Sequence, residues 1–440
     1  MNKTTFNQSL LSFIAESPDS FHAVQTLSQR LSEAGFEALE ETAQWQLQPG
    51  GCYFVTRNES ALIAFTHAGT DPSRHGVHMA GAHTDSPCLK LKPVPELVRN
   101  EYVQLSVEVY GGALYAPWFD RDLSLAGRVD YRNRAGSLAS ALINLKKPVA
   151  IIPSLAIHLD REANQNRSIN PQKELLPILM SLAPGEHFSF SEFLLSQLQA
   201  LPGSADAQQI LGHELSFYDT QAPALIGLNE QFIAAARLDN LLSCYVGMEA
   251  ICQADRGQYN LLVCNDHEEV GSTSSSGAQG PFLKSVLSRI VEQAAMDGDR
   301  NRSDEQFERM IRHSRLLSVD NAHGIHPNFA DRHDSNHGPL LNRGPVLKIN
   351  ANQRYASNSH SVALFRNLCE LENIPVQDFA VRSDMGCGST IGPITASGLG
   401  VETVDVGVPT FAMHSIRELA GADDAFMLFK VMQRYFGARE

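Results

Sequence analysis

Cysteine is sparse in this chain and shows no pairing pattern. The seven residues, Cys52, Cys88, Cys244, Cys252, Cys264, Cys369 and Cys387, are odd in number and never spaced as Cys-x-x-Cys. That argues against a structural zinc knuckle or a thioredoxin-like redox site. Free thiols in a reducing cytoplasm are the simplest account. Basic residues are outnumbered, 35 against 49 acidic, for a net charge of -14. Such a balance opposes binding to nucleic acid or to an anionic membrane. No apolar stretch approaches the roughly 20 residues of a membrane span. The start, Met1-Asn2-Lys3-Thr4-Thr5-Phe6, lacks the basic, apolar and cleavage segments of a targeting peptide, which again predicts a cytoplasmic location. Gly-x-Ser-x-Gly is missing, which disfavours a serine hydrolase. The glycine-rich Gly386-Cys387-Gly388-Ser389-Thr390 lacks the Lys-Ser/Thr of a phosphate-binding loop. No internal repeat or low-complexity tract is present.

What is there is an ordinary globular chain of 440 residues, 43% apolar and 19% charged, long enough for two or three domains. Phe21, Val24, Leu27 and Leu31 recur at helical spacing up to Gly35, and Leu10, Leu11, Phe13 and Ile14 fit an amphipathic helix before them. Cys52–Val55 and Ala61–Phe65 read as a β-hairpin. Val77–Ala80 is a short strand. From about Leu91 the texture changes. Val103, Leu105, Val107 and Val109 alternate with polar residues, and Leu123–Tyr131 and Val149–Leu159 read as further strands. Helix and strand alternate again from Phe232. Phe282, Val286, Leu287 and Ile290 mark a helix that stops near Gly298, and Asp299–Glu305 reads as a polar, mobile link. Val408–His414 leads into a last helix carrying Phe426, Leu428, Val431, Met432 and Tyr435. The expectation is an α/β protein. Its catalytic domain, 1–90 with 231–440, has a mixed sheet with helices on both faces, and a β-rich domain over 91–230 is inserted in it.

The chemistry centres on Leu261-Leu262-Val263-Cys264-Asn265-Asp266-His267-Glu268-Glu269-Val270-Gly271-Ser272, where an apolar run ends in four ionisable residues. In open α/β sheets ligands sit at the C-terminal ends of strands. Carboxylates clustered there repel unless protonated, hydrogen-bonded or bridged by a cation. One of two adjacent glutamates can ligate a metal while the other takes a proton from a water the metal activates. Spacing does not say which is which. Other candidate ligands follow other strand-like runs: His83 and Asp85, Asp239, Asp320 and His323, and His414. Each has a plain alternative: a solvated acidic loop for the glutamates, a helix N-cap for Asp239, a turn for Asp320, and satisfied histidines for His83 and His414. Together they form a set suited to Zn, Mn or Co. They exceed what one tetrahedral zinc needs, whereas two ions about 3.5–4 Å apart sharing a carboxylate would use them all. Asp85 suits an outer role, supplying an oxygen to orient His83.

These segments resemble the M18 metallo-aminopeptidases, whose best-known members are aspartyl aminopeptidases. The resemblance covers nearly the whole chain. It is carried by Gly81-Ala82-His83-Thr84-Asp85-Ser86-Pro87, Ala236-Arg237-Leu238-Asp239-Asn240, the Asp266–Ser272 segment, Asp320-Asn321-Ala322-His323, and Met413-His414-Ser415-Ile416-Arg417-Glu418. It implies two divalent ions, zinc foremost, with His83 on one and His414 on the other. Asp239 would bridge them, and Glu269 and Asp320 would complete their shells. Glu268 would be the general base and Asp85 would orient the site. His158, Glu268, Asp320, His323, Lys348 and Tyr355 would meet the substrate. Lys348 is a point charge for an acidic first residue of a peptide. The inserted domain would mediate dimerisation, reach a neighbour's active site, and support a dodecamer. Two rivals differ in kind: a metal deacylase acting on N-acyl amino acids, and a non-catalytic peptide-binding scaffold on the same fold. N-acyl amino acids assayed beside aminoacyl anilides separate the first rival. The second would lack the base or a ligand, and every such position is filled here.

Overall fold

The computed structural model describes residues 1–294 and 300–437. The chain divides into two compact units. The larger comprises Met1–Asp85, Pro223–Met413 and Glu418–Glu440, and the inserted one comprises Ser86–Ala222 with His414–Arg417. Among the described residues no helix is long and apolar enough to cross a membrane.

The larger unit is built on a mixed nine-stranded sheet. At its centre lie Asn260–Asn265, His78–His83, Arg315–Val319 and Glu402–Gly407, paired in parallel in that order. Antiparallel Ala61–His67 and Gly51–Arg57 extend one side. Val346–Lys348 and Gln377–Phe379 extend the other. Successive side chains on a strand point to opposite faces, and here both faces are apolar. Leu262, Cys264, Ala80, Ala82, Leu317, Val319, Val404 and Val406 share one core with the helices Lys3–Glu16, Ser20–Glu33, Leu238–Cys252 and Asp424–Gly437. Leu261, Val263, Met79 and Leu316 share the opposite core with the helices Phe282–Ala294 and Arg300–His313. A sheet covered on both faces has near-continuous apolar strands, which is the pattern parallel sheets need. The fold is therefore the expected mixed α/β layer structure.

Three local readings differ. The helix Arg300–His313 runs through most of the stretch read as a polar, mobile link, and Met310 and Ile311 anchor its end in the second core. Asp299 and the expected helix stop near Gly298 lie outside the described residues. Between Val408 and the last helix come two short antiparallel strands, Pro409–Phe411 and Glu418–Gly421. They join a five-stranded sheet with Ala224–Ile226, Phe232–Ala235 and Ala322–His323.

The inserted unit is an antiparallel six-stranded sheet in the order Leu138–Asn144, Leu123–Asn133, Ala207–Asp219, Cys88–Arg99, Tyr102–Tyr110, Ile178–Ser181. One face packs Leu89, Leu105, Leu125, Val129 and Phe217 with Phe190, Leu194 and Leu198 of the helix Phe190–Gln199. Ser189 caps that helix by accepting from the Glu192 N–H. The strand expected over Val149–Leu159 is not formed. Only Ala150 and Ile151 make bridges, to Leu123 and Ile178, and residues 152–170 are irregular. Pro153 removes a ladder donor. Beyond it Leu155, Ile157 and Leu159 stand exposed, at 56%, 48% and 75%.

Candidate active site

The C-terminal ends of the parallel strands bring the chemistry of the larger unit together. His83 is the last residue of its strand, in register with Asn265. Its Nδ1 donates to the Asp85 backbone carbonyl oxygen at 2.9 Å. That bond orients the ring and turns Nε2 toward three acids. Nε2 lies 3.5 Å from Asp239 Oδ1, 3.7 Å from Asp320 Oδ1 and 4.0 Å from Glu268 Oε2.

Each acid is held by its own backbone. Asp320 follows the strand Arg315–Val319, and its N–H donates to the Val406 carbonyl oxygen at 2.9 Å. Gly407 allows this close passage, since a Cβ there would come within 1.8 Å of the Asp320 carbonyl oxygen. Asp239 opens the helix Leu238–Cys252 but is not its N-cap; its backbone is non-helical and its carboxylate faces His83 instead. The Asp239 N–H donates to Glu418 Oε2 at 2.9 Å. Glu268 and Glu269 occupy a short 3-10 turn after Asn265. Both of their N–H groups donate to the Asp85 carboxylate, at 3.2 and 3.1 Å. Asp85 thus fixes the acidic loop with its carboxylate and the histidine with its carbonyl.

Arg237, before Asp239, and His267, before Glu268, both adopt positive φ, 58° and 62°. Non-glycine residues in that region are strained and cluster at functional sites. Here each turns the chain just ahead of an acid.

The electrostatics favour a cation or retained protons at this site. Burial works against a charge on His83, yet Asp239, Asp320 and Asp85 outweigh it and hold its pKa well above the ordinary value. Burial pushes Glu268 up to about 7; His83 opposes the rise, while Asp320, Asp239 and Asp85 add to it. Burial, followed by repulsion from Asp239, also holds Glu269 well above the carboxylate range. Buried acids this close cannot all ionise without a compensating positive charge. His83, Asp239 and Asp320 offer ligand atoms within 4.8 Å of one another, as do His83, Glu268 and Glu269. Imidazole with carboxylates is a donor set that fits zinc.

Lys348 is 1% exposed in the strand Val346–Lys348. Its Nζ donates to the Asn321 carbonyl oxygen at 3.1 Å and lies 3.5 Å from Asp320 Oδ2. It also sits 5.1 Å from the ring centre of the buried Tyr355. His323 ends the strand Ala322–His323 and meets Phe379 edge-on. His158 and His414 fall in the inserted unit. His158 is exposed in the irregular segment 152–170. His414, at φ 68°, lies in the turn after Pro409–Phe411, and its Nδ1 meets the Gly112 carbonyl oxygen at 3.2 Å.

Two residues escaped the sequence reading. Glu418, 3% exposed, holds the Asp239 backbone. Cys244 donates from Sγ to the His83 carbonyl oxygen at 3.0 Å. Neither carries a local signal beyond proximity: Glu418 ends a segment quoted above, and Cys244 lies on the Asp239 helix.

The chain is similar to known proteins in sequence and in fold. The family model described as Aminopeptidase I zinc metalloprotease (M18) matches residues 13–436. A protein of Pseudomonas entomophila named probable M18 family aminopeptidase 2 is 56% identical over 438 residues, covering 100% of this chain and 99% of its own. One of the same name from Azotobacter vinelandii is 56% identical over 436 residues, 99% of each chain. A chain in the cryo-EM structure of the Ape4 and Nbr1 complex superposes with a TM-score of 0.93 at 36% identity, covering 99% of this chain and 86% of that one. The S. cerevisiae mApe1 dodecamer gives a TM-score of 0.82 at 28% identity, with 98% and 96% covered.

Proposed function

This chain belongs to the M18 family of zinc metalloproteases and is a metallo-aminopeptidase, and we propose that it removes an acidic residue, Asp or Glu, from the N-terminus of peptides at a site for two divalent ions. His83 and His414 would each serve one ion, Asp239 would be shared, and Asp320 and Glu269 would complete the two sets. The single observation behind this reading is the His83 ring, whose Nε2 is turned toward three acids by the bond from Nδ1 to the Asp85 carbonyl. Zinc bound there would polarise the scissile carbonyl and lower the pKa of an attacking water.

The chain's own groups do the rest. Glu268 takes the proton from the water and returns it to the leaving amine. Asp85 holds Glu268 in place through its backbone N–H. His323 or Tyr355 would stabilise the oxyanion. Nearby carboxylates would hold the free amine, which restricts cleavage to the first residue. Lys348 supplies the charge that selects an acidic side chain. The inserted unit joins copies of the chain, with His158 completing a neighbour's site; the exposed Leu155, Ile157 and Leu159 beside it, and the dodecamer named for S. cerevisiae mApe1, support that reading. The free cysteines suit a cytoplasmic setting.

The test is Glu268→Gln with metal analysis beside kinetics on Asp-, Glu- and Leu-anilides. The variant should keep its zinc and lose about 10²–10⁴-fold in turnover. Stripping metal should abolish activity and add-back restore it. A zinc-loaded Glu268→Gln enzyme of near-normal rate would overturn the base. Full activity without divalent ions would overturn the site.

A further inference from the structure

Beyond His323 the larger unit contains a cavity of about 280 Å³, with Phe379, Met385 and Phe411 as its apolar wall and His326, His333 and Arg332 at its polar side. We propose that this cavity receives the second residue of the substrate: an apolar side chain together with, in a dipeptide, its free carboxylate. The inference rests on the reading that the first side chain goes to Lys348.

Position comes first. Phe379 stacks edge-on with Tyr355 at 6.4 Å and with His323 at 5.8 Å between ring centres. Lys348 and Tyr355 do not line the cavity, whereas His323 and Phe379 do. His323 is three residues past Asp320, and it feels the charges of Lys348, Asp239 and Asp320 as well as His333. A peptide whose first residue turns toward Lys348 and whose scissile carbonyl lies by His323 has the cavity ahead of its second residue.

Size and charge complete the case. The volume falls just under the roughly 300–1,000 Å³ of sites that enclose drug-sized ligands, so it suits one side chain and not a long segment. Arg382, also at the cavity, is already neutralised, with Nε donating to Asp384 Oδ1 at 2.9 Å and a second nitrogen to Oδ2 at 2.6 Å. Burial lowers the pKa of His333, which favours its neutral form. Arg332 is exposed, and no ion pair engages it among the described residues. It is a fixed positive charge at the mouth of an apolar pocket in a chain of net charge -14. An apolar residue ending in a carboxylate complements both features.

The experiment compares Asp-Phe, Asp-Gly and Asp-Phe-amide on the zinc-loaded, full-length enzyme, with the same series beginning in Leu. Asp-Phe should exceed Asp-Gly in kcat/KM by about tenfold or more. It should exceed its own amide by about fivefold, mostly through KM, since an exposed arginine contributes modestly. Arg332→Gln should erase the acid-over-amide ratio and Arg332→Lys should restore part of it. Equal kcat/KM for Phe and Gly and for acid and amide in the unaltered enzyme would overturn the pocket. Loss of the Asp-over-Leu preference with the second-residue effects intact would overturn only the role of Lys348.

Discussion

The two units show opposite ways of handling polar and apolar groups. In the larger unit, His83, Asp85, Asp239 and Lys348 are polar yet buried; the side chains of His83, Asp85 and Lys348 bond to backbone, and the Asp239 N–H donates to Glu418. In the inserted unit, Leu155, Ile157 and Leu159 are apolar yet exposed, in a segment without regular structure. Burying charge costs several kcal/mol unless partners compensate, so the first arrangement persists only where a cation or proton is expected. Exposing three large aliphatic side chains close together forgoes burial free energy unless another surface covers them. On the function proposed above, a metal would answer the first and another copy of the chain the second.

The comparison breaks most sharply at Asp85. Asp85→Ala leaves two N–H groups of the acidic loop without their acceptor. Outer partners of metal ligands are worth roughly 10–100-fold in affinity or activity. Loss at the upper end of that range is expected here, because one carboxylate holds both glutamates; zinc titration and kcat measure it. A loss below about threefold would mean the loop is positioned without Asp85.

A pH series probes the same charge demand. Without metal, His83 has a raised pKa, so its stabilisation is complete below the ordinary histidine value and fades as pH rises through the folded one. Glu268, raised to about 7, binds its proton more tightly when folded, so stability also falls as pH climbs from the ordinary carboxylate value toward 7. Both signs agree. The metal-free protein should lose Tm between about pH 5 and 8. The gain in Tm on adding zinc should grow over the same interval, because fewer protons compete. A zinc-induced gain that is flat in pH would remove the proton from the site.

Much of this was legible, for reasons that differ by residue. His83, Glu268, Glu269 and Asp320 end or follow near-continuous apolar runs, and parallel pairing brings the ends of such runs together. Asp239 was harder, since an acid before an apolar helix obeys the N-cap rule equally well; long-range contacts, to His83 and to Glu418, set it apart. A lysine closing a short strand would ordinarily be exposed; Lys348 is buried, held by the Asn321 carbonyl and Asp320 beside Tyr355. The strands Pro409–Phe411 and Glu418–Gly421 are too short to show a period. Leu155, Ile157 and Leu159 do alternate, and that pattern suggested a strand where no ladder forms.

A smaller effect is expected beside the site. Asn321 is buried, and both polar atoms of its side-chain amide lack a hydrogen-bond partner among the described residues. An unsatisfied buried group costs about 1–3 kcal/mol. Asn321→Leu should therefore raise stability by about 1 kcal/mol, part of the gain being lost to imperfect packing. Its backbone carbonyl, the acceptor for Lys348, is unchanged by the substitution. A fall in Tm would show that the amide has a polar partner, such as water, and that this corner of the site is wetter than its geometry implies.

The smallest effect on stability is expected in the inserted unit, at Leu159→Ser. Substitutions at exposed positions usually stay within about 0.5 kcal/mol, and Leu159 is 75% exposed. The same change should matter to association, where a large aliphatic side chain contributes about 1.5–3 kcal/mol if another copy buries it. Sedimentation should therefore show a lower mass for Leu159→Ser at a concentration where the unaltered chain is assembled, with Tm of the dissociated chain unmoved. Activity should fall with mass, since His158 would no longer reach a neighbour. If mass and activity both stay put, the exposed leucines do not join copies of this chain, and the inserted unit's departure from ordinary burial needs a different partner.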